Sequence, residues 1–164
     1  MRKTTTLLEV CFIFFASTAA VAQTAHYRHH RRVVLNDLTV TPGQIDPTHD
    51  RAFLCSAAFH TGSIRNVTQS TKWKVCDAYG IARKQCNKVN VEIDHLVPLE
   101  DGGTNDISNL WAQPRLPRPA ALNKDILENK IKRELCAGRM DLPTAQHRLM
   151  TDWYAFWIEV VQVK

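Results

Sequence analysis

The stretch from Val89 to Cys136 constrains this chain more than any other part of it. Val89-Asn90-Val91-Glu92-Ile93 alternates with period two, the pattern of a half-buried strand, with Val91 and Ile93 on one side. Asp101-Gly102-Gly103 follows as a loop able to adopt positive φ. Asn109-Leu110-Trp111 reads as the return strand. Pro114, Pro117 and Pro119 break regular structure before Ala120. Leu122, Ile126, Leu127, Ile131 and Leu135 then recur at three-to-four spacing, which predicts a helix from Ala120 to Cys136. Lys132 and Arg133 suit its last turn, and Gly138 its stop. A hairpin followed by a helix is the expected core, and the expected fold class is α+β and helix-rich.

Elsewhere the signals are shorter. Val33-Val34-Leu35 and Leu38-Thr39-Val40 precede a turn at Thr41-Pro42-Gly43. Asp46-Pro47-Thr48 is read as opening a short helix through Phe53. Thr71 to Tyr79 reads as helical, with Gly80 as its stop. Asp141 caps a last helix in which Pro143 suits the first turn. Its stripe of Leu142, Ala145, Leu149, Trp153, Phe156 and Trp157 is read as core.

Residues 1–22 read as a signal peptide: Arg2 and Lys3, an apolar run from Leu7, and Ala20-Val21-Ala22 as a small-x-small cleavage site. The run is too short and interrupted for a membrane span. A basic leader follows over residues 23–40, expected to be partly disordered, its centre being His26-Tyr27-Arg28-His29-His30-Arg31-Arg32. Residues 41–164 are then one domain by length. The expected location is outside the cytoplasm, periplasmic or secreted. Cleavage would leave four cysteines, Cys55, Cys76, Cys86 and Cys136, an even set that suggests two disulfides with three pairings. The preferred local pair is Cys76 with Cys86, leaving Cys55 with Cys136. No C-x-x-C is present, which weakens a zinc reading. The net charge of +5 and pI near 9.1 favour a polyanionic partner. No membrane contact after cleavage and no obligate protein partner are expected. Asn66-Val67-Thr68 matches a glycosylation sequon that matters only in a eukaryotic secretory route.

The hairpin carries the chemistry. His95 is the candidate general base, since an imidazole near its ordinary pKa of about 6.5 is available as the neutral form. Asp94 is the candidate ligand for a hard divalent cation, which prefers carboxylate oxygens. Neighbouring side chains on a strand point to opposite faces, so the two serve one site only if the strand ends there, as Pro98 suggests. A divalent ion is expected where the helix packs across the hairpin. Asn109 lies fourteen residues after His95. Its side-chain carbonyl is expected to accept from an imidazole N–H and fix the tautomer.

Asp94-His95-Leu96-Val97-Pro98-Leu99, then Gly102-Gly103-x-Asn105, then Asn109-Leu110-Trp111 resembles the HNH endonucleases, whose core is the ββα-metal motif. The nearer likeness is to exported bacterial HNH-type proteins known mostly as predicted nucleases, and it extends to Lys124-Asp125, Leu127-Glu128-Asn129 and Cys136-x-Gly138. The resemblance implies that His95 activates water, Asp94 binds metal and Asn109 supports the hairpin and the histidine. The metal implied is magnesium, with manganese or zinc as alternatives. The third motif residue is displaced. The usual position falls on Arg118, inside the proline-rich connection, so Asn123 is the first choice, with Asp125 and Glu128 as alternatives and Asn129 farther along.

Arg65, Lys72, Lys74, Arg83, Lys84, Arg115 and Arg118 are candidate substrate contacts, and no base-reading motif accompanies them. The expected activity is metal-dependent cleavage of DNA, or alternatively RNA, with low sequence specificity. The rival is a non-catalytic HNH-like module that grips nucleic acid or another polyanion without cutting. The displaced third residue favours that rival.

Overall fold

The computed structural model describes residues 27–162. The expected signal peptide at 1–22 and the start of the leader lie outside the described residues. Over the described residues the fold is α+β, with two small antiparallel sheets, four α-helices and two disulfides.

The first sheet is a hairpin of β1 (Arg28–His30) and β2 (Val33–Leu35). This hairpin lies within the basic leader read at residues 23–40, and it is anchored on both sides. Val33 and Leu35 are buried in the main core. The Tyr27 hydroxyl donates to the Ala112 carbonyl at 2.5 Å, and Arg28 donates to the carbonyls of Asn36 and Thr151. His30 Nδ1 sits 2.7 Å from an Asp152 carboxylate oxygen.

Helix α1 (Arg51–Leu54) starts later than the sequence suggests, because Asp50, not Asp46, accepts from a first-turn amide, that of Phe53. Asp46 instead closes a turn with Thr48. Helix α2 (Gln69–Ala78) is capped by Thr68, which accepts from the Thr71 amide, and ends before Gly80 at φ 64°.

The second sheet is the expected hairpin. β3 (Val91–His95) pairs with β4 (Leu110–Pro114), in a register that sets Asp94 opposite Trp111 and His95 opposite Leu110. Helix α3 (Ala121–Cys136) follows the prolines. Its buried stripe is Ala121, Lys124, Leu127, Ile131 and Leu135, while Leu122 and Ile126 face solvent. The helix packs mainly on α4 (Leu142–Trp157) and on the turn Leu99–Asp101, whereas α2 lies against the hairpin. The aromatic stripe of α4 is core, as its spacing predicts: Leu149, Trp153 and Phe156 are fully buried with Trp111 from β4.

Both preferred cysteine pairs form. Cys76–Cys86 closes the short segment after α2, and Cys55–Cys136 ties the end of α1 to the last residue of α3. Among the described residues no helix is long and apolar enough to cross a membrane.

Candidate functional site

Strand β3 ends at His95, and this brings Asp94 and His95 to one place. Both line a cleft of about 330 Å³, together with Thr61, Arg65, Glu100 and, from α3, Asp125, Glu128 and Asn129. The loop from Leu96 to Asn109 contributes Pro98, Leu99 and Glu100 to the lining. Gly102 has φ +83°, and a Cβ at Gly103 would stand 1.9 Å from the Val97 carbonyl oxygen, so neither position accommodates a side chain without strain.

Asn109 holds this loop and does not touch the histidine. It is fully buried, accepting from the amides of Val97 and Gln44 and donating to the carbonyls of Val97 and Thr104. The expected bond between the Asn109 carbonyl and the imidazole is not among those it makes: register places its backbone beside His95, but its side-chain amide is bonded within the loop and to Gln44.

Asn105 takes the orienting role. Its Nδ2 donates to the Ile64 carbonyl at 2.8 Å and its Oδ1 accepts from the Asn66 amide at 3.1 Å. That pair of bonds fixes which end of the amide faces His95. Oδ1 lies 3.2 Å from His95 Nε2, so Nε2 carries the proton and donates. The free lone pair is then on Nδ1, which makes no hydrogen bond among the described residues. Burial pulls the imidazole pKa down to about 4, against the opposing pull of Asp94. His95 is thus neutral across the ordinary pH range, with one nitrogen held and the other available.

Lys124 organises the opposite wall. Its side chain has no solvent exposure. Its ammonium donates to Asp94 Oδ2 at 2.8 Å, to the His95 carbonyl at 2.7 Å and to Glu128 Oε1 at 2.5 Å. Loss of hydration disfavours the charged amine, but Asp94 and Glu128 outweigh it and hold the ammonium above its ordinary pKa. Burial raises the carboxyls of Glu128 and Asp125; Asp94 adds to both shifts and Lys124 opposes them. Asp101, on the same loop, is fully buried; among the described residues neither of its carboxylate oxygens has a hydrogen-bond partner, and burial holds its pKa well above the usual range.

The side chains do not fit a divalent ion as they stand. The carboxylates are hard donors, but an oxygen of Asp94 and one of Glu128 already face the Lys124 ammonium. Among the described residues no three His, Cys, Asp or Glu side chains group in a metal-holding arrangement. Asn123, the first-choice third ligand, is spent on the helix start: its Oδ1 accepts from the Ala120 amide at 3.1 Å. Asp125 does face the cleft.

A second pocket, of about 400 Å³, adjoins the first through Arg65 and gathers Lys72, Lys88 and Arg115 around Val91 and Ile93. Arg115 is ion-paired to Glu92 at 2.7 Å. Three of the expected substrate contacts thus converge. Lys74 and Arg118 are exposed and line neither cavity, because α2 and the proline connection turn them outward. Arg83 pairs with Asp77 and lies over Trp73.

No family model, curated protein or solved structure matches the chain. What the site can do rests on its own residues.

Three participants are absent from the sequence reading in these roles. Lys124 has a signal, since it shares the helical face of Leu127, Ile131 and Leu135, and a lysine on an apolar stripe needs buried partners. Asn105 and Lys88 lie in loops, where no periodicity reports direction.

Proposed function

We propose that this protein is an exported, HNH-like nuclease that hydrolyses phosphodiester bonds of nucleic acid with low sequence specificity, DNA before RNA. One observation carries the reading: His95 has its Nε2 held by Asn105, and it lines a cleft that shares Arg65 with a basic pocket. In the proposed reaction Nδ1 takes a proton from water as its oxygen attacks phosphorus. Arg65, the exposed cation of the cleft, is placed to meet the non-bridging oxygens, and Lys72, Lys88 and Arg115 to hold the neighbouring backbone. The leaving oxygen takes its proton from solvent. Two disulfides fit a protein that works in an oxidising compartment, which supports export.

The second reading, a module that binds polyanions without cutting, is favoured by the charge of the cleft. Among the described residues that line it, Asp94, Glu100, Asp125 and Glu128 outnumber the single cation Arg65, and that excess of negative charge opposes the approach of a phosphate to His95. Incubating the purified chain with plasmid DNA and with RNA separates the two. Cleavage by the wild type and none by His95→Ala is the expected result. Equal cleavage by both removes the mechanism, and binding without cleavage supports the second reading.

A further inference from the structure

The strongest feature that this mechanism leaves unused is the buried ammonium itself. Lys124 sits one helical turn before Glu128 on α3 and reaches to the end of β3. It thereby joins helix to hairpin at the place where a ββα site is expected to hold its divalent ion. An ammonium has three donors, and here all three find acceptors: a carboxylate oxygen of Asp94, one of Glu128, and the carbonyl of His95. The coordination is complete and dry.

We infer that Lys124 is the resident cation of the cleft, standing in for a divalent ion, so that Asp94 and Glu128 take up such an ion only when Lys124 is removed. A dication bonded to these same carboxylates would lie within a few ångströms of a fixed positive charge that has no solvent to screen it. It would also have to displace two charge-assisted hydrogen bonds. The ammonium supplies locally part of what a metal otherwise does for the hairpin: it offsets negative charge beside the base and grips the backbone carbonyl of His95, fixing where that residue sits. Lys124 is inaccessible to substrate and is therefore a positioning residue. Its bearing on cleavage rests on the nuclease reading; its bearing on metal binding does not.

The test is a calorimetric titration of the full chain with Mn2+ and with Mg2+, using wild type, Asp94→Asn, Lys124→Met, and Lys124→Met combined with Asp94→Asn. Methionine keeps most of the length and the apolar packing, and circular dichroism checks that the fold survives. The wild type is expected to show no saturable binding. Lys124→Met is expected to gain one Mn2+ per chain and to lose it again with Asp94→Asn. EDTA should leave wild-type cleavage unchanged. Saturable Mn2+ binding by the wild type that Asp94→Asn abolishes would overturn the inference, and this needs no Lys124 variant to fold. A folded Lys124→Met protein that binds no ion would overturn it too. A wild type that cuts nothing contradicts only the nuclease reading and leaves the titration to stand or fall separately.

Discussion

The cleft and the basic pocket meet at Arg65, yet they treat charge in opposite ways. In the cleft the charged groups are tied together: Lys124 is clasped by Asp94 and Glu128, and His95 is buried with one nitrogen held by Asn105. In the pocket Lys72 and Lys88 make no ion pair among the described residues, and Lys88 is exposed. Fixed groups in a dry setting can orient a proton transfer, at the cost of a narrow tolerance for change. Loose cations in water attract any polyanion and lose their grip as salt rises. The two regions therefore divide the work, and they should fail differently when altered.

The largest effect belongs to the cleft. His95→Ala should lower cleavage by roughly 10²- to 10⁴-fold, the usual contribution of a general base, with affinity for a DNA duplex unchanged by fluorescence anisotropy. Affinity falling along with cleavage would erase the division between the regions.

Each region also has its own covalent staple. Cys55–Cys136 holds the far end of the helix that carries Lys124, across a sequence separation of 81; Cys76–Cys86 borders the pocket across 10. Chain-entropy arithmetic for these loops gives losses of about 4.5 and about 2.7 kcal/mol on replacement by serine pairs. Urea midpoints of the two double variants should fall in that order.

Asn105→Ala should reduce cleavage by about 10- to 100-fold, as loss of an orienting partner does. Asn105→Asp should instead move the acid limb of the pH–rate profile upward from about 4, because a carboxylate at that place stabilises the imidazolium. A purely structural role for Asn105 would leave the limb where it is.

The smallest effects belong to the pocket. Lys72→Ala and Lys88→Ala should each flatten the dependence of log affinity on log salt by about 0.9 for every phosphate the variant no longer neutralises. Cleavage at saturating DNA should stay the same.

What is legible in the sequence follows the same divide. Local periodicity reports elements, so β3, α3 and the aromatic stripe of α4 stand out, and the cysteine spacing leads to both disulfides. Direction within loops has no such signal. The hairpin brings the Asn109 backbone back beside His95, which suggests contact, but its amide serves the loop, and Asn105 from the irregular stretch does the orienting. Leu122 and Ile126 fit the spacing of a core stripe and are exposed, while Lys124 is buried because its three acceptors offset the loss of hydration. The basic residues can be named from the sequence but not sorted: only the fold separates Lys72 from Lys74.

The chemistry proposed for the cleft turns on the state of His95, and nitrogen NMR of the imidazoles across a pH titration observes it directly. Burial lowers its folded pKa below the unfolded value of about 6.5, so the folded protein binds fewer protons between about 6.5 and about 4 and loses stability as pH falls through that window. The expected result is a neutral ring with its proton on Nε2, persisting until the pH approaches about 4. A proton on Nδ1, or titration at the ordinary value of about 6.5, would contradict it.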